Sequence, residues 1–159
     1  MFTFNDTITF VFAFFITLPI VALIHSLGHL FFASIFGGQI KLVLGRGKRI
    51  FSRGIFELRL LYFFDSKCHY RKLKINNKLS HCLVHAGGII FNILAIVLVN
   101  TSIFIGLIPK HIFFYQFVYF SVYYIFFALL PIQYGENHYS DGKAIISIIR
   151  TGKPPDLFD

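Results

Sequence analysis

Residues 7–39, TITFVFAFFITLPIVALIHSLGHLFFASIFGGQ, decide what kind of protein this is. The run has no Asp, Glu, Lys or Arg, and it exceeds the roughly 20 apolar residues that carry a helix across a bilayer. Residues 83–109 and 112–135 have the same character. Composition agrees, because 56% of the 159 residues are hydrophobic and only 14% are charged, against about 45–50% and about 25% in soluble domains. Such a chain cannot cover itself with a water-soluble surface. The sequence predicts an α-helical integral membrane protein, a single membrane domain over residues 1–159. Its three transmembrane helices fall at residues 8–36, 83–108 and 112–131. Nothing basic precedes the first run, and Asp6 is its only flanking charge, so it is expected to be a retained span and not a cleaved signal peptide.

The charges lie between the spans. Of 15 Lys and Arg, 11 fall between positions 41 and 82, and the formal net charge is +8. Lys and Arg mark the cytoplasmic side of a membrane protein. The basic 41–82 loop and the C-terminal tail with Lys143, Arg150 and Lys153 are therefore expected in the cytoplasm, with the N-terminus and the turn at Pro109 and Lys110 outside. Topology alone accounts for these charges, so the lipid bilayer and not a nucleic acid is the expected partner. Cys68 and Cys82 form no C-x-x-C pair and are read as free thiols without a role. Residues 39–44 and 55–62 are rich in β-branched and aromatic side chains and are punctuated by Gly45, Gly47 and Gly54. They predict a short cytoplasmic β-hairpin. Residues 69–80 read as an interfacial helix or a linker.

Chemistry enters at Ile24-His25-Ser26-Leu27-Gly28-His29. His25 and His29 are four residues apart, so on a helix both leave the same face, and imidazoles inside a span are costly without partners. Either they share a metal ion, or they hydrogen-bond to neighbouring groups. Asp141-Gly142 supplies a carboxylate or, equally, an ordinary turn. Depth arithmetic connects them. At 1.5 Å per residue, His29 and His25 lie about 10 and about 16 Å above a helix end at Phe36, and Asp141 about 13 Å above Arg150 if residues 142–150 form a short helix. Asn92, beyond the Gly87-Gly88 pair, reaches a similar depth. It reads as an active-site group or as interhelical glue. His69, His81, His85 and His111 are read as interface residues.

Together these residues resemble the site-2 protease family of intramembrane zinc metalloproteases, along nearly the whole chain. His25 and His29 fall on the histidines of its H-E-x-x-H motif. Residues 38–62 look like its membrane-associated β-hairpin region. Gly87, Gly88 and Asn92 match A-G-P-x-x-N, with Gly87 for Ala and Ile89 for Pro. Pro131 and Asp141-Gly142 correspond to N-x-x-P-x-x-x-x-D-G. The resemblance implies a zinc site of His25, His29 and Asp141, a substrate or oxyanion contact from Asn92, and cleavage of transmembrane or juxtamembrane peptide bonds in a bacterial plasma membrane. The partner it implies is a membrane-embedded peptide or protein substrate.

The departures are specific. Ser26 stands where the family has its catalytic Glu, and a serine cannot take a proton from water near neutral pH as that carboxylate does. Ala128 replaces Asn. Nine residues, 132–140, stand where the family has four, and within them Glu136 is a candidate substitute base and His138 a candidate extra ligand, set against a plain solvated loop. Three functions follow: an unusual active protease; a homologue that binds a membrane peptide or partner without cutting it; and a small transport or immunity subunit whose polar residues serve packing.

Overall fold

The computed structural model describes residues 4–135 and 138–152. The first span is one continuous helical rod: α1 (Phe4–Phe12), a π-helical turn (Ala13–Thr17) and α2 (Leu18–Ile35). The widened turn has a local cause. Pro19 at the start of α2 has no N–H, and its ring crowds the carbonyl four residues back, so the helix opens just ahead of it. After β1 (Gln39–Arg53) and β2 (Phe56–Arg71) come α3 (Lys78–Phe104), α4 (Ile112–Leu129), a small hairpin of β3 (Gln133–Gly135) and β4 (His138–Tyr139), and α5 (Asp141–Thr151).

Among the described residues, three helices are long and apolar enough to cross a membrane: Thr7–Ile35, Lys78–Phe104 and Ile112–Leu129. The second begins and ends earlier than the expected 83–108. Its start is set by a capping box, in which Ser80 N–H donates to the Asn77 side chain at 2.7 Å and Asn77 N–H donates to Ser80 Oγ at 3.1 Å. The short helix expected at 142–150 is α5.

Residues 41–82 are not a loop carrying a short hairpin. β1 and β2 are 15 and 16 residues long, and β2 takes in His69, Tyr70 and Arg71, which had read as linker or helix. The pair also curls upon itself. Leu42 and Leu44 are flanked on one side by Cys68 and Ser66 and on the other by Phe56 and Leu58, while Phe51, Ser52 and Arg53 pair with Leu58, Glu57 and Phe56. Two long strands thereby make a sheet four segments wide. The bend falls at Gly45, whose φ of +91° no side chain adopts easily. A Cβ there would sit 2.6 Å from the Tyr62 backbone.

The sheet lies beside the first span. At one end the chain leaving β2 is stitched to α2, with Lys74 N–H donating to the Phe36 carbonyl at 2.9 Å. At the other end, the Phe63 ring packs on Phe14 and Phe15 at 5.5 and 4.9 Å. Eight strand residues cover about 26 Å and the matching helix about 30 Å, so β2 accompanies the helix over most of its length. Below the site, Ala33, Leu73 and Val84 form a small core, closed by Phe32, Phe36, Ile40 and Tyr70.

Candidate metal centre

The histidine spacing on α2 places both rings on one buried face, 4.7 Å apart between centroids and nearly perpendicular. Glycines let α3 come close to that face. A Cβ on Gly28 would collide with the Gly87 carbonyl, and a Cβ on Gly87 would stand 2.5 Å from the Gly28 carbonyl, so the two backbones touch. One residue on, Gly88 lies directly against the His25 ring, with room for no side chain. Tyr124 of α4 covers His25 from another side, its ring centroid 4.9 Å away.

Asp141 arrives as the first residue of α5, whose N-cap is Ser140. Ser140 Oγ accepts from Lys143 N–H and Ile132 N–H, each at 3.1 Å, and donates to the Leu130 carbonyl at 2.5 Å. Ser140 N–H in turn donates to the Ile132 carbonyl at 3.0 Å. Ile132 and Ser140 therefore close a neck, and the residues between them leave as the β3–β4 excursion. The nine-residue gap that had weakened the case for Asp141 contracts in space at this neck. A Cβ on Gly142 would collide with the Leu129 carbonyl, so the helix start seats directly on the end of α4.

The result is convergence. His25 Nε2 lies 2.9 Å and His29 Nε2 3.6 Å from Asp141 Oδ2, and one potential ligand atom from each residue falls within 4.8 Å of the other two. The tautomers suit a cation. His29 Nδ1–H donates to the Val84 carbonyl at 2.7 Å, so in the neutral ring Nε2 carries the lone pair. That lone pair faces a carboxylate oxygen, and two acceptors in this position call for a proton or a metal cation between them.

Asn92 adds a second indication. It is fully buried, its amide nitrogen is 3.4 Å from His25 Nδ1, and its Oδ1 has no hydrogen-bond partner among the described residues. Turning the amide over would let Oδ1 accept from His25 Nδ1–H, freeing Nε2 to ligate and leaving the Asn92 N–H₂ group as an unpartnered donor. Two imidazoles and one carboxylate are the protein donors of a catalytic-type zinc site, in which the fourth position goes to water.

Ser26 is fully buried next to His25 and brings no carboxylate. The acidic residues with described side chains are Glu57 and Asp141. Glu57 is 3% exposed on the sheet, bound by Lys41 at 2.6 Å and Arg59 at 2.9 Å. The hydrogen bond from Lys41, with Arg59 adding to it, outweighs the loss of hydration and holds this carboxyl below its ordinary range. Glu136 lies outside the described residues, and so does the side chain of His138. Burial pushes the free Cys68 thiol up to about 12, which leaves it protonated and a poor metal ligand near neutral pH.

The sequence reading missed His85 and Tyr70. His85 is not an interface residue: it is 8% exposed, and its Nδ1 is 3.4 Å from Asp141 Oδ1. A signal existed, since His85, Gly88 and Asn92 stand three and seven residues apart, on one helix face with the two residues already singled out. His81 is likewise buried, 3.1 Å from the Tyr70 hydroxyl.

Three apolar helices of spanning length, with a buried cluster of His and Asp side chains packed among the helices, define the class, a membrane protein. The chain is 48% identical over 153 residues, 96% of its own length and 96% of its relative's, to the "Uncharacterized membrane protein YwmF" of Bacillus subtilis (strain 168). It belongs to the family of that membrane protein. No family model matches the sequence, and no solved structure matches it.

Proposed function

We propose that the protein is a zinc-binding membrane protein of site-2 protease type that holds a membrane-embedded peptide at His25, His29 and Asp141, with little or no hydrolysis. The observation that carries this reading is the approach of those three side chains to within 4.8 Å of one another from two separate helices. The cost of burying them is met when a divalent cation takes all three.

Zinc held there would supply Lewis acidity toward a peptide carbonyl and toward water. His29 is fixed as a ligand by the Val84 carbonyl, and His25 is oriented by Asn92 on one side and packed by Gly88 and Tyr124 on others. The spare donor of Asn92 suits a peptide carbonyl oxygen. No described carboxylate stands in the place of the family's Glu: Ser26 is a hydroxyl, and Glu57 is engaged by two cations on the sheet. The basic residues gathered where the sheet meets the end of α2, Lys41, Arg71, Lys72 and Lys74, support a cytoplasmic position for that end of the molecule.

Metal analysis of detergent-purified protein tests the site, with one zinc per chain expected and none after His25→Ala or His29→Ala. The catalytic half is tested by Ser26→Glu. Restoring a positioned base is expected to raise hydrolysis of a membrane peptide by about 10²–10⁴-fold, with zinc content unchanged. Efficient cleavage by the unaltered chain, abolished by Glu136→Gln, would make Glu136 the base and overturn the non-cleaving reading. A cysteine placed at exposed Lys74, beside the end of α2, in a cysteine-free chain should resist an impermeant thiol reagent in intact cells. Labelling from outside would invert the topology.

A further inference from the structure

The Asp141 carboxylate is divided between two environments. Oδ2 faces the histidine pair at 2.9 and 3.6 Å, whereas Oδ1 faces His85 Nδ1 at 3.4 Å, the long end of hydrogen-bonding range. His85 stands outside the group of mutually close ligand atoms, so it touches the carboxylate from behind. We propose that His85, itself held by Tyr70 of β2, is a positioning residue that fixes Asp141 as a one-oxygen metal ligand. This rests on the metal reading above.

The hydrogen-bond sense follows from donor and acceptor capacity. An ionised carboxylate only accepts, so His85 Nδ1–H donates to it. A neutral imidazole then accepts at Nε2, and the Tyr70 hydroxyl, 3.2 Å from that nitrogen, is the donor. The Tyr70 oxygen in turn accepts from His81 Nδ1–H at 3.1 Å. Asn76 Oδ1 lies 2.7 Å from His81 Nε2, so in this tautomer the Asn76 amide is turned over and its N–H donates to Nε2. The links from Asn76 to His85 are 2.7–3.2 Å long, and the contact from His85 to Asp141, at 3.4 Å, is the longest. Without the brace the carboxylate could rotate and present either oxygen, or both, to the ion.

The same turn of α3 serves two ligands. The Val84 carbonyl fixes the His29 tautomer at 2.7 Å, and the next residue, His85, holds Asp141. Groups that orient metal ligands in this way commonly change metal affinity 10–100-fold when removed. The brace also ties the sheet to the site, because Tyr70 is the one member contributed by β2.

The test uses the full chain in detergent, with zinc affinity measured against a chromophoric chelator and the visible spectrum of the cobalt-loaded protein reporting the ligand set. Asp141→Ala should abolish binding. His85→Ala should weaken zinc about 10–100-fold, with helicity retained. His85→Asn, which can still donate to Oδ1, should recover part of the loss, and Tyr70→Phe should show a smaller loss of the same kind. Tight zinc binding by the unaltered chain, lost in Asp141→Ala but unchanged in His85→Ala, overturns the brace and leaves the metal site standing. A cobalt spectrum in His85→Ala showing one imidazole ligand fewer also overturns it, making His85 a ligand itself. Absence of zinc and cobalt binding in the unaltered chain overturns the metal reading and the brace with it.

Discussion

α3 and α4 are both apolar enough to cross a membrane, yet they are used in opposite ways. The first half of α3 buries Ser80, His81, Val84, His85, Gly87, Gly88, Ile89 and Asn92. Along α4 only Phe117 and Ser121 are buried, and Tyr119, Val122 and Phe126 face outward at more than half of their full exposure. The difference is in residue size and polarity. Glycine admits a neighbouring backbone, and buried His or Asn needs a partner, so α3 is drawn into protein contacts. A helix of Phe and Tyr is satisfied by lipid. Mean hydropathy recognises both as spans, and only the placement of small and polar side chains tells which one builds the site.

The sharpest break in that contrast is a ligand deletion. Asp141→Ala removes the carboxylate from the α3 side of the molecule, and bound zinc should fall below detection by metal analysis. Next comes Gly88→Ala or Gly28→Ala. The added methyl meets the His25 ring or the Gly87 backbone, and overpacking of this kind costs about 1–3 kcal/mol or more. Thermal unfolding in detergent should show the loss together with reduced zinc content. Ser140→Ala removes the cap and the neck at once, and should cost about 1 kcal/mol by the same measurement, with weaker zinc binding because Asp141 follows it directly.

A smaller effect is confined to the sheet. The carboxyl of Glu57 is held below its ordinary range by Lys41 and Arg59, so its contribution to stability is fully present above the unfolded-state value and is lost as pH falls through the depressed folded value. Amide protection in β1 and β2, corrected for intrinsic exchange, should therefore decline in acid. Glu57→Gln should flatten that dependence. The smallest effect is expected on α4, where Val122→Ala, on the outward face, should shift stability by no more than about 0.5 kcal/mol. A loss like that of Gly88→Ala would mean that α4 packs against protein after all.

Much of this architecture is legible in the sequence. The absence of charge from three long runs announces the spans, the four-residue spacing gives the histidine face, and depth counted along helices brings Asp141 and Asn92 to the same level. What escaped is physical in origin. His69 to Arg71 read as linker because their polarity masks a strand held by pairing with residues 39–41, a long-range effect that local composition does not record. His85 looked like an interface residue because it is near the charged start of α3. The helix begins at Lys78, five residues before the charge-free run, and so carries His85 two turns inside. The curl at Gly45 depends on the closeness of Leu61 and Tyr62, which no spacing rule predicts.

The neck between Ile132 and Ser140 also changes what chain length means here. Because the two residues pair through both of their backbones and the Ser140 hydroxyl, residues 133–139 are an appendix whose size is uncoupled from the address of Asp141. Such a segment can grow, shrink or accept an inserted tag while the carboxylate stays where it is. A consensus motif that counts residues from Pro131 to the aspartate measures the appendix and not the site.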